Sequence, residues 1–76
     1  MSELDRIRWQ CRRGMLELDL VLNRFVERDL TGLAPAELET FRQLLDEPDP
    51  QLLAWVMAQE TTPAPYAALV QRLRSI

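Results

Sequence analysis

A chain of 76 residues, 47% hydrophobic and 28% charged, makes one small domain and leaves no room for separate cofactor and substrate domains, since a protein of this size buries only about 60% of its unfolded surface. With no histidine and a single cysteine, Cys11, the chain by itself offers no His/Cys metal site, no internal disulfide and no nucleophile–histidine pair. A net charge of −3 argues against a nucleic-acid footprint, which usually shows as a basic domain, and no apolar run approaches the ~20 residues of a membrane span. An enzyme is not expected. The first residues, Met1 to Arg6, carry neither a signal-peptide apolar segment nor an acid-poor transit character, so cytoplasmic residence is the expectation.

The predicted architecture is all-α: a compact antiparallel bundle of about five short helices forming one domain over residues 1–76. The first helix is expected from Glu3 to Arg12, with Ser2 as N-cap, Asp5 three residues on, and Leu4, Ile7 and Cys11 as its apolar stripe. The second is expected from Leu16 to Leu30, with Leu18, Val21, Leu22 and Phe25 facing the core and Gly32 where a C-terminal cap belongs. The third begins near Pro35, with Leu33 and Leu38 at hydrophobic-staple positions and Leu38, Phe41, Leu44 and Leu45 as its stripe. Asp46-Glu47-Pro48-Asp49-Pro50 stops it. Asp49 is then expected to cap the fourth helix and Pro50 to open it, with Leu52, Leu53, Val56 and Met57 inward. Thr61-Thr62-Pro63-Ala64-Pro65 breaks the chain again, and Tyr66, Leu69, Val70 and Leu73 define the fifth helix.

The candidate functional residues crowd into the break between the first two helices. All nine basic residues are arginine, and six of them lie within residues 1–28. Guanidinium pairs bidentately with carboxylates and stacks on aromatic rings, which suits protein contact. Arg6, Trp9 and Arg13, spaced i, i+3, i+7, fall on the side of the first helix away from Leu4, Ile7 and Cys11. Trp and Arg are enriched at binding hot spots; the alternative is that Trp9 packs over an edge of the bundle with arginine stems against it. Gly14 suits a helix cap in the left-handed region, and a missing side chain equally lets a partner's backbone approach. Glu17 and Asp19 point about 200° apart on a helix, so they form no carboxylate dyad. Each favours the positive helix end, and Glu17 is in reach of Arg13 across a tight turn. Trp55, Met15 and Met57 read as packing residues and Cys11 as a buried thiol. Asp46, Glu47 and Asp49 lack the alternating spacing of a calcium loop.

The run Arg12-Arg13-Gly14-Met15-Leu16-Glu17-Leu18-Asp19, after Arg6-Ile7-Arg8-Trp9-Gln10-Cys11, resembles the RGxxE signature of the SdhE family. These are small helical assembly factors that promote covalent FAD attachment to the flavoprotein subunit of succinate dehydrogenase. The resemblance covers roughly residues 6–57, and the segment from Glu60 carries no signature of its own. It implies a client-binding surface of Arg6, Trp9, Arg13, Gly14, Glu17 and Asp19. It implies as partner the flavoprotein subunit of succinate dehydrogenase, and in bacteria often that of fumarate reductase. It also implies that FAD is the client's cofactor rather than one bound tightly by this chain. A bacterial, monomeric protein with no nucleic-acid partner and no membrane insertion is expected. The competing reading is a small protein-binding module acting as an antitoxin-like regulator, whose exposed arginines would neutralise a toxin.

Overall fold

Capping chemistry and proline punctuate the chain, and the computed structural model, which describes residues 2–75, follows that punctuation. Five α-helices form: α1 (Glu3–Gln10), α2 (Leu16–Asp29), α3 (Pro35–Leu45), α4 (Asp49–Val56) and α5 (Ala64–Arg74). The fold is all-α, with no strand among the described residues. None of its helices is long and apolar enough to cross a membrane.

α1 starts where expected, with Ser2 Oγ accepting the Asp5 N–H at 3.1 Å. It ends two residues early: Cys11 closes it, donating to the carbonyls of Ile7 and Arg8, and the chain then turns. α2 ends at Asp29, and Leu30–Gly32 tightens into a 3₁₀ turn that buries Leu30. Gly32 is therefore no left-handed cap, since Gly14 is the one described glycine with positive φ. The tightened turn, closed by Leu33 N–H on the Leu30 carbonyl at 3.3 Å, takes over that role.

α3 opens on Pro35, and Glu37 reaches back to accept the Ala34 N–H at 2.8 Å. Leu33 and Leu38 flank its start as half-buried neighbours of the core, as a staple requires. α4 departs from expectation. Pro48 is its N-cap and Asp49 its first residue, so Asp49 caps nothing. Its carboxylate is engaged elsewhere. Met57, expected inward, is half exposed because α4 stops at Val56 and the chain reverses at Ala58, φ +59°.

α5 packs against α2, α3 and α4 and supplies Leu69, Val70 and Leu73 to the core. Burying three such side chains contributes about 5–8 kcal/mol, so this last segment is integral to the fold. Arg74 fastens it by donating twice to the Trp55 carbonyl, at 3.0 and 2.6 Å. Phe25 and Phe41 meet at the centre with ring centroids 5.0 Å apart, and Trp55 packs on Tyr66 at 5.7 Å. α1 is held through Ile7 and Cys11, both buried in the same cluster.

Candidate functional site

The turn between α1 and α2 is built by two carboxylates and one guanidinium. Asp19, in the first turns of α2, folds its carboxylate back over the loop. Oδ1 accepts the Arg13 N–H at 2.8 Å and Oδ2 the Gly14 N–H at 3.2 Å. Two donors that precede the helix, and would otherwise be orphaned, are satisfied by one side chain.

Arg13 runs inward, its side chain only 14% exposed. Its Nε donates to Asp49 Oδ1 at 2.7 Å, one terminal nitrogen to the Gln10 carbonyl at 2.9 Å, and the other to the Glu47 carbonyl at 2.9 Å. One guanidinium thus ties the end of α1 and the α1–α2 turn to the α3–α4 turn. The planar fork of arginine, with its five donors, permits this; a lysine ammonium cannot span the three acceptors in the same way. Arg13 does not pair with Glu17, as its spacing allowed, because α1 ends at Gln10 and its side chain leaves the helix face.

Gly14 sits at the exposed apex with φ +80°, and a Cβ built there would meet nothing within 4 Å. The conformation demands glycine; the space around it does not. Glu17, on the first turn of α2, is exposed and in no ion pair among the described residues. Asp19 is half-buried beneath the loop it holds, and its own carbonyl accepts from Asn23 Nδ2 at 2.7 Å.

On α1, Trp9 is 63% exposed, with the guanidinium of Arg12 5.5 Å from its ring centroid. Arg12 therefore takes the place beside Trp9 that the spacing had given to Arg13. Arg6 lines a neighbouring cleft between α1 and α3, with Glu3, Gln10 and Arg42. The structure thus gathers Arg13, Gly14 and Asp19 into one hydrogen-bonded turn, with Glu17 beside it. Arg6 and Trp9 lie on α1, outside that network.

Sequence reasoning missed Asp49 as the acceptor for Arg13. It also missed Leu16 and Leu20, which are exposed on α2. The latter had a visible signal, since both lie opposite the Leu18–Leu22–Phe25 stripe at helical spacing. The former had none, because 36 residues separate the partners.

Cys11 is fully buried behind the turn, and burial pushes its thiol up to about 12, a rise that the charge of nearby Arg13 only partly opposes. It is not a nucleophile in this state. No group of three or more Cys, Asp or Glu side chains among the described residues could hold a metal ion. What the site offers is a side-chain-free apex with a free carboxylate beside it and an exposed aromatic on the neighbouring helix, groups able to bind and orient a partner.

Comparison with known proteins bears on what such a surface engages. Residues 5–76 match the family model described as "Flavinator of succinate dehydrogenase". The match extends past the 6–57 region in which the motif resemblance was legible and takes in α5. The chain is 54% identical over 56 residues to the FAD assembly factor SdhE of Coxiella burnetii, covering 74% of this chain and 68% of the relative. It is 41% identical over 73 residues to the same-named protein of Legionella pneumophila, covering 96% and 92%. With that of Haemophilus ducreyi it shares 44% identity over 78 residues, covering 99% and 95%. No solved structure matches the chain.

Proposed function

The chain belongs to the family of flavinators of succinate dehydrogenase, and on that premise we propose that it is an assembly factor that binds the flavoprotein subunit of succinate dehydrogenase and promotes its covalent FAD attachment. In bacteria the homologous subunit of fumarate reductase is a second client. FAD is the client's cofactor. The covalent bond forms between the flavin 8α-methyl carbon and a histidine of the client, a residue this chain does not contain. The relatives are bacterial proteins, and the proposal sets the chain beside its client in the bacterial cytoplasm.

The observation that carries the reading within the molecule is the apex at Gly14. Asp19 and Arg13 hold it at φ +80°, open on its outer side, with Glu17 unpaired next to it. A backbone this exposed and this well fixed suits close approach by a partner's main chain. Arg6, Trp9 and Glu17 would contact the client around it, and Arg13 and Asp19 would keep it in shape. The mechanism is conformational: the factor binds preferentially the client state in which FAD and the acceptor histidine are aligned, and so raises that state's population. Acceleration then needs no catalytic group of its own.

The test is in-gel fluorescence of covalently bound flavin, after denaturing electrophoresis of the client subunit. The subunit is produced with this chain, without it, and with a Gly14→Arg variant shown separately to be folded. Fluorescence that rises with the wild type and fails with the variant supports both function and face. Equal fluorescence in all three preparations overturns flavinylation of that client.

A further inference from the structure

Four large hydrophobic side chains are exposed among the described residues: Trp9, Leu16, Leu20 and Met57, at 63, 76, 47 and 50%. Exposed leucines scattered singly need no explanation, but Leu16 and Leu20 share one face of α2, and Leu16 shares a groove with Leu53 of α4. Leu16 and Leu20 lie one turn apart on α2. Leu16 lines a groove of about 300 Å³ with Met15, Glu17 and Leu53. Met57 follows Leu53 by one turn at the end of α4.

Helix geometry joins this patch to the rest of the surface. At about 100° per residue, Leu16, Leu20, Asn23 and Glu27 form a single ridge along α2, opposite the buried Leu18, Leu22 and Phe25. Asn23 and Glu27 in turn line a second groove with Trp9 and Arg12. The ridge therefore runs from the Gly14–Glu17 turn to the stacked Trp9–Arg12 pair, apolar at one end and polar at the other.

We infer that the Leu16–Leu20 ridge, with Leu53 beside it, is the apolar centre of the client interface, and that its occupant is an apolar segment of the client flavoprotein carrying a cationic side chain opposite Glu17. The inference rests on the flavinylation reading and extends it. Continuity supports it, because Leu16 and Glu17 share one groove two residues beyond Gly14. So does area. A stable complex buries about 800 Å² on each partner, roughly a sixth of the 4759 Å² this molecule exposes. The ridge adds apolar area to the face formed by Arg6, Trp9, Gly14 and Glu17. Charge fixes the chemistry of the occupant: Glu17 is the carboxylate on the groove's rim, and none of the described ion pairs satisfies it.

The experiment measures binding of recombinant, FAD-loaded succinate dehydrogenase flavoprotein subunit by calorimetry. The full chain is compared with Leu16→Asp, Leu20→Gln and Gly14→Arg, each checked for an unchanged helical spectrum, and sedimentation of each chain alone reports self-association. Both leucines are exposed, so the fold tolerates these changes. Leu16→Asp is expected to weaken binding about tenfold or more, as loss of a central apolar anchor does, and Leu20→Gln less. Unchanged affinity for both leucine variants, with Gly14→Arg inactive, overturns the ridge and leaves the flavinylation reading standing. Failure of the wild type to bind the client overturns both. Wild-type self-association that the leucine variants abolish, with client affinity unchanged, assigns the ridge to a second copy and overturns the inference.

Discussion

Arg13 Nε lies 2.7 Å from Asp49 Oδ1 and joins two helix breaks 36 residues apart in the chain. The pair is partly shielded, and Arg13 also serves two carbonyls, so it differs from the exposed ion pairs of the surface. Arg13→Ala leaves Asp49 and both carbonyls without their donor. It is expected to cost about 2–3 kcal/mol, a fall in Tm of roughly 10 °C or more in a domain this small. Asp49→Ala should cost less, and a double-mutant cycle should show a coupling of about 1 kcal/mol or more. Strictly additive losses in chemical denaturation would mean that the pair contributes nothing as a pair.

Gly14 separates backbone strain from partner contact. Gly14→Ala meets no atoms but places an L-residue at φ +80°, which costs about 1–2 kcal/mol. Gly14→Asn, better suited to the left-handed region, should melt closer to the wild type. If the apex is a point of close approach, both variants lose client affinity. Recovery of affinity in Gly14→Asn alongside recovery of stability would reduce Gly14, which lies beyond the Cys11 cap of α1, to a turn residue.

Ala58 occupies the opposite situation. It is the one described non-glycine residue with positive φ, +59°. It closes α4 through Gln59 N–H on the Ala54 carbonyl at 2.8 Å and its own N–H on Trp55 at 3.1 Å, the bonding of a Schellman cap. Ala58→Gly removes the Cβ penalty and is expected to stabilise by roughly 0.5–1 kcal/mol after the entropy of the freer unfolded chain is counted. A lower Tm for this variant would contradict the strain assignment.

Cys11 makes a redox and pH prediction. At pH 8 a thiol reagent should label the folded protein only as fast as it opens, and label it rapidly in denaturant. The thiol is held at about 12 when folded, against ~8.5 when unfolded. The folded state therefore keeps a proton the unfolded state has lost, and stability attributable to Cys11 declines between those values by up to about 1.4 kcal/mol per pH unit. The difference in unfolding free energy between wild type and Cys11→Ala should shrink above pH ~9. A difference that stays constant to pH ~11 would mean that the thiol is not shielded.

Asp29 acts at the acid end. Its hydrogen bonds with Arg28, reinforced by Arg72 on α5, hold its carboxyl below the usual carboxylate range. A depressed folded pKa stabilises above the unfolded value and the effect is lost as pH falls through the folded one. Asp29→Asn should therefore lower Tm at neutral pH and converge with the wild type below pH ~3. Equal melting of the two proteins at pH 7 would show that the α2–α5 bridge is too solvated to count.

Short-range chemistry was legible in the amino-acid sequence wherever a few neighbouring residues decide the outcome. Ser2 at the start of α1, Pro35 at the start of α3 and the apolar stripes, apart from Met57 at the end of α4, depend on spacing within one or two turns, and they stand as read. So does the break at Gly14, though Cys11 and not the glycine closes α1. Where a residue had two ways to meet the same need, only the tertiary structure chose. Asp49 could cap α4 or accept from a distant arginine, and the carboxylate went to the guanidinium, where a partly shielded charge needed it. Arg13 could lie on the outer face of α1 or turn inward, and ending α1 at Gln10 sent it in, leaving Arg12 with Trp9. Leu16 and Leu20 were legible as off-stripe residues, but that Leu53 shares a groove with Leu16 depends on how α4 packs against α2. Composition and helical period act within a segment, whereas the pairing of one turn with another is settled when the core closes.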